Sequence, residues 1–169
     1  SEIFEVVEDW ENYVYCLSRK GRSFYRKGDF ETAIKIFKDT KTTIIEKLYE
    51  NHISMLRILQ YLGAVYGTLG DYNMERRYAE NAISFSMYIE KDLEASKIIS
   101  SIYNSLGIAN FEEGKYDVAL NNIKQALVII EKYKDELPKH VGNIHNTLAV
   151  VYSETGYYDE ALINYELAL

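Results

Sequence analysis

The sequence predicts an all-α chain arranged as a solenoid of about four antiparallel helix pairs, and three observations carry that expectation. One set of residue columns recurs four times along the 169 residues. Pro138 is the single proline, so almost nothing interrupts a helix. Sixteen tyrosines exceed what a core of this size needs, and tyrosine packs its ring while leaving its hydroxyl wet.

The columns set the element order. A small residue (Gly21, Gly63, Gly107, Ala149) is followed seven positions later by glycine (Gly28, Gly70, Gly114, Gly156). Two further on stands an aromatic (Phe30, Tyr72, Tyr116, Tyr158), then Ala33, Glu75, Ala119 or Ala161, and then Thr40, Ala82, Ala126 or Ala168. Glycine after a helical run can take the left-handed conformation that ends a helix. Asp29 and Asp71, directly after their glycines, are expected to cap the next helix. The aromatic is expected to fill the wedge between the two helices of a pair, and the small residues to let their axes approach.

Within the second helix of the first copy, Phe30, Ala33, Ile34, Phe37, Ile44, Ile45 and Leu48 fall at helical spacing and make one apolar face. The predicted helices cover 9–27, 30–49, 53–69, 72–90, 93–113, 116–134, 139–155 and 158–169, with residues 1–8 read as the tail of an earlier helix. Pro138 suits the first turn of the seventh. The chain is read as one domain of repeats at about 9–50, 51–92, 93–136 and 137–169. Leu169 falls inside an apolar helix with no polar helix after it. Such an end exposes core surface, so the chain is expected to be part of a longer protein or to self-associate through that uncapped helix.

This pattern resembles the tetratricopeptide repeat (TPR). Its landmarks appear as Leu62-Gly63, Tyr66, Gly70-x-Tyr72 and Ala82 in the second copy, and as Leu148, Tyr152, Gly156-x-Tyr158, Ala161, Tyr165 and Ala168 in the fourth. The family's opening Trp is replaced by Leu17, Leu59, Tyr103 and His145, and Glu75 and Ala79 stand where Ala and Phe are usual, which predicts looser packing in the second copy. The small residues are 42, 44 and 42 apart, against a typical 34. The extra residues are expected to lengthen the helices. The long unit is similar to the repeats of kinesin light chains, of Pins-type scaffolds and of Gram-positive peptide-sensing regulators.

The resemblance implies a right-handed superhelix whose first helices line a concave groove for a peptide or helix of another protein. The groove residues it implies are Tyr15, Ser18, Arg22, Tyr25, Arg26, Arg57, Gln60, Asn104, Ile108, Phe111, Asn143, Asn146 and Glu154. Gln60, Asn104 and Asn146 share one column, and a carboxamide offers the donor and acceptor that would pair with an extended backbone. Arg19, Arg22, Arg26 and Arg57 against Glu112, Glu113 and Glu154 suggest a ligand acidic at one end and basic at the other. The Lys/Asn/Arg clamp of chaperone-binding members is not intact, because Ser18 and Arg22 occupy its early places. A second reading stays open: the signal-peptide-sensing region of a bacterial transcriptional or phosphorelay regulator.

Charge and composition bound the rest. The net charge is −7, with nine basic and nine acidic groups in 1–47, five and seven in 48–97, and five and ten in 98–169. With no basic stripe along the chain as a whole, nucleic acid is not expected as a direct partner. No apolar run reaches membrane-spanning length and residues 1–10 lack a signal peptide's pattern, so no membrane partner and a cytoplasmic protein are expected. Cys16, the lone cysteine, reads as a packed first-helix thiol. His140 and His145 are five apart, which does not put both rings on one metal, and no nucleophile–base spacing stands out. No metal, cofactor or enzymatic activity is expected.

Overall fold

A computed structural model describes residues 2–48 and 52–169, with side chains described from Trp10 onward. The chain divides into two compact units, residues 1–89 and 90–169. The first contains α1 (Glu2–Arg26), α2 (Phe30–Lys47), α3 (Ile53–Thr68) and α4 (Tyr72–Ser86). The second contains α5 (Leu93–Glu112), α6 (Tyr116–Ile130), a 3-10 turn (Glu131–Tyr133), α7 (Pro138–Glu154) and α8 (Tyr158–Leu167). No strand occurs among the described residues. The fold is all-α and made of helix pairs: α1 with α2, α3 with α4, α5 with α6, and α7 with α8.

One three-residue linkage with glycine at its centre closes all four pairs. Gly28, Gly70, Gly114 and Gly156 have φ of 80°, 76°, 74° and 84°. The next residue donates its N–H back into the first helix: Asp29 to Phe24, Asp71 to Tyr66, Lys115 to Asn110 and Tyr157 to Tyr152, at 2.8–3.0 Å. That is the six-to-one bond of a Schellman ending. The same residue offers its carbonyl to Ala33, Glu75, Ala119 or Ala161 and so opens the second helix. Asp29 and Asp71 also cap with their carboxylates, accepting from Thr32 N and Met74 N at 3.1 and 3.0 Å.

Close approach follows at the small residues. A Cβ on Gly21 would lie 2.5 Å from the Phe37 ring, and one on Gly107 would overlap Ile123. Phe37 and Ile123 are fully buried. In the second pair a Cβ on Gly63 would meet nothing nearer than 3.6 Å, while one on Gly67 would lie 2.6 Å from the Glu75 carboxylate. The tight contact has therefore moved one turn along, where glycine makes room for the glutamate that replaces alanine. Pairs pack on each other inside a unit through Phe37 against Tyr61 at 5.2 Å, and through Ile123, Ala126 and Ile130 against Val141, Ile144, Leu148 and Val151.

Four expectations are corrected. Residues 2–8 continue α1 and are not the tail of a separate helix. Helix α4 ends at Ser86 and α6 at Ile130, so part of the extra repeat length lies in the connections 87–92 and 131–137. There the backbone tightens: Tyr88 N–H bonds to Phe85 and Lys134 N–H to Glu131, both three residues back. Tyr158 is 71% exposed, and Tyr157 takes its place against Tyr152 at 6.1 Å because the cap residue's ring folds back over the end of α7. Cys16 is exposed, on the flank of α1 away from the buried row Val14, Ser18 and Gly21. The aromatic wedge is formed as expected by Tyr25–Phe30 and Phe111–Tyr116, at 5.9 and 5.7 Å.

Candidate functional site

The proposed groove residues lie on α1, α3, α5 and α7, and their surroundings differ.

In unit 1, Tyr15, Arg22 and Arg26 are exposed on α1. Spacing of four, three and four puts Tyr15, Arg19, Arg22 and Arg26 on one flank. Arg19 donates to the Tyr15 hydroxyl at 3.4 Å. Tyr25 is half-buried and hydrogen-bonds the Thr68 hydroxyl at 2.9 Å, which joins this side of α1 to α3. Arg57 and Gln60 are half-buried on α3. Ser18 is 3% exposed and its hydroxyl donates to the Val14 carbonyl at 2.7 Å, so it is a packing residue that presents nothing to a ligand.

In unit 2, Asn104 and Phe111 are half-buried on α5, and Ile108 is 42% exposed between them. Asn143, Asn146 and Glu154 are exposed on α7. Phe111 is already engaged with Tyr116 and with the core between α6 and α7. The Asn104 Oδ1 atom is buried without a hydrogen-bond partner among the described residues. An unmet buried acceptor costs about 1–3 kcal/mol, so this is a position where the free chain is under-satisfied. Neighbouring Asn110 shows the ordinary outcome, donating to the Leu106 carbonyl at 2.7 Å.

Sequence reasoning missed several polar contacts. Glu75 is 8% exposed between α3 and α4, and its burial pushes the carboxyl up to about 7, opposed by the Arg76 charge. His140 hydrogen-bonds the buried Ser100 hydroxyl at 2.8 Å. Ser100 also donates to the Lys97 carbonyl, so the imidazole supplies the proton of the shared bond. Burial, and then the Lys97 charge, hold His140 below its usual value. Ser100 is fully buried, so this Ser–His contact joins α5 to α7 and gives no reachable nucleophile. His145 meets Asn164 at 2.9 Å, and His52 caps α3 at Ser54 while pairing with Glu11 at 3.1 Å. No spacing rule signals these contacts, because each depends on which helix faces lie opposite.

Among the described residues no cluster of three or more His, Cys, Asp or Glu could hold a metal ion, and no helix is long and apolar enough to cross a membrane. Two clefts, of about 740 Å³ beside Tyr116, Tyr152 and Tyr157 and of about 710 Å³ beside Ile45, Phe85 and Tyr88, include none of the proposed groove residues. Of those residues, Tyr15, Arg22, Arg26, Ile108, Asn143, Asn146 and Glu154 stand exposed on their helices.

The comparisons agree with the architecture. Residues 98–169 match the tetratricopeptide repeat family model. BtubC (BKLC) from P. vanneervenii superposes with a TM-score of 0.76 at 19% identity, over 97% of this chain and 68% of that one. The nearly identical TPR-like repeats of a kinesin light chain from Podosopora anserina, in a single-substitution variant, give 0.73 at 16%, over 92% and 73%. The apo form of RapI gives 0.71 at 16%, over 98% of this chain and 46% of that one. No curated protein matches the chain in sequence. Residues 98–169 thus match the model of the tetratricopeptide repeat family, and both units have the all-α helix-pair fold of the solved repeat structures.

Proposed function

We propose that this chain is a protein-interaction module that holds a peptide segment of a partner along the first helices of its pairs. The observation that carries this reading is Asn104: a carboxamide oxygen, buried and unpartnered, in a lane with exposed Ile108 on α5. Rotated outward about its side-chain torsions, that oxygen would accept a backbone N–H from an extended peptide, and exposed Asn146 on α7 supplies a second amide in the same sequence column. Ile108 and Val150 offer apolar contact beside them, at 42% and 38% exposure.

Peptides selected from a displayed random 12-residue library provide the probe. In Asn104→Ala with Asn146→Ala, their affinity is expected to fall about tenfold, two lost hydrogen bonds being involved. The free chain is expected to melt at the same temperature or higher, because Ala removes the orphaned oxygen. Unchanged affinity would overturn the reading.

The second reading, a signal-peptide-sensing region of a regulator, uses the same amides for a short free peptide. It requires the selected peptide to change hydrogen exchange in helices it does not touch. Protection confined to the contacted faces of α5 and α7 would leave only the first reading.

A further inference from the structure

Positive charge on α1 is concentrated beyond what the helix itself requires. Residues 12–28 hold Arg19, Lys20, Arg22, Arg26 and Lys27 and no acidic residue, in a chain of net charge −7. A helix C-terminus favours cations in its last turn, which accounts for Arg26 and for Lys27 just beyond it. Arg19 and Arg22 lie one to two turns further in, where that effect has faded.

Three features single out the flank Arg19–Arg22–Arg26. All three side chains are exposed, and they span about 10 Å along the axis. Neither Arg22 nor Arg26 has an ion-pair partner among the described residues. The flank borders α3, as the Tyr25–Thr68 hydrogen bond shows, and the α3 residues matching Arg22 and Arg26 in the repeat are small, Ala64 and Thr68. The result is a row of long cations beside a low shelf. Glu11, the nearest acid in sequence on α1, is already taken by His52 at 3.1 Å.

We infer that this flank of α1 binds an acidic peptide segment, with carboxylates paired to Arg19, Arg22 and Arg26 and the peptide backbone lying over Ala64 and Thr68. The inference rests on the reading of the first helices as the binding face, and it specifies the partner's charge there. Arginine suits the role because its planar fork pairs bidentately with carboxylates. The patch fits a short peptide better than nucleic acid: it is one short row, and the surrounding chain is acidic.

The probes are fluorescein-labelled octaglutamate, a Ser/Gly octapeptide and a twelve-residue oligo-dT, measured by fluorescence anisotropy. Octaglutamate is expected to bind at least about fivefold more tightly than the Ser/Gly peptide, with affinity falling as salt rises from about 50 to about 300 mM. Arg19→Glu with Arg22→Glu should abolish that preference. Lys20→Glu with Lys27→Glu makes the same charge change on the other side of the helix and should leave most of it. Equal loss in both variants, no preference for octaglutamate, or tighter binding of the oligonucleotide would each overturn the inference. Octaglutamate binding should survive Asn104→Ala with Asn146→Ala. If library peptides lose affinity in that variant while octaglutamate shows no preference, only the inference about charge fails, and the reading of the amides stands.

Discussion

The two units close their turns identically but start their second helices differently. In residues 1–89, both α2 and α4 begin with an aspartate whose carboxylate caps the helix. In residues 90–169, Lys115 and Tyr157 hold the same place and give no side-chain cap. Charge divides in the same way. Unit 1 has 12 basic and 13 acidic residues, whereas unit 2 has 7 and 13. The groups whose acidity burial shifts also differ in kind, with Glu75 and Tyr78 in unit 1 and a half-buried imidazole, His140, in unit 2. The fold thus depends on the glycine linkage that all pairs share, while caps, charge and interior polarity vary on top of it.

The largest expected effect tests packing. Gly107→Ala should cost about 2–3 kcal/mol, because the new methyl overlaps Ile123 and also meets the Ala119 carbonyl at 3.2 Å. Gly63→Ala should instead stabilise by about 0.5–1 kcal/mol, since nothing lies within 3.6 Å and helical glycine is entropically costly. Urea midpoints decide the matter, and equal shifts would break the contrast between the pairs.

Next comes pH, where the units should respond in opposite directions. Glu75 binds its proton more tightly folded than unfolded, so its stabilising contribution is full below 4.5 and is lost as pH rises to about 7. Acidifying from pH 8 to 5 should therefore strengthen unit 1 by about 2 kcal/mol, and Glu75→Gln should remove that gain. His140 has the reverse sign. Its contribution is present above 6.5 and is lost as pH falls through its lowered folded value, so unit 2 should weaken on acidification. Hydrogen exchange read separately on α4 and α7 measures both, and parallel responses would contradict the assignment.

The smallest effects concern the caps. Asp71→Ala should cost about 1 kcal/mol, and Lys115→Asp should add about 0.5–1 kcal/mol by giving α6 the cap it lacks, even after the exposed Lys115–Glu113 pair is lost. Thermal melts of the two variants should shift in opposite directions.

The comparison also shows what could be read from sequence alone. Helix starts at Phe30, Ile53, Tyr72, Leu93, Tyr116 and Tyr158 were all legible, because each follows a glycine–cap pair or begins an apolar period. The ends of α4 and α6 were not: no glycine or proline marks Ser86 or Ile130, and the chain unwinds there through three-residue bonds. At the candidate site, exposure of Arg22, Arg26, Asn143 and Asn146 agreed with helical phase. The burial of Ser18 did not, since a hydroxyl can satisfy itself on its own helix and then pack like alanine. Asn104's orphaned oxygen was invisible too, because a missing partner is a property of the surroundings and leaves no trace in spacing.

Gly67 carries no charge and no polar side chain, yet it governs an acid–base equilibrium eight residues away. The Glu75 carboxylate occupies the space that a Cβ on Gly67 would fill. Replacing Gly67 by alanine would drive the carboxylate toward water, and its affinity for a proton would fall back toward that of an ordinary glutamate. The acidity of Glu75 is in this sense set by an absent methyl group. Gly67→Ala should consequently flatten the pH profile of unit 1 as fully as removing the carboxyl itself.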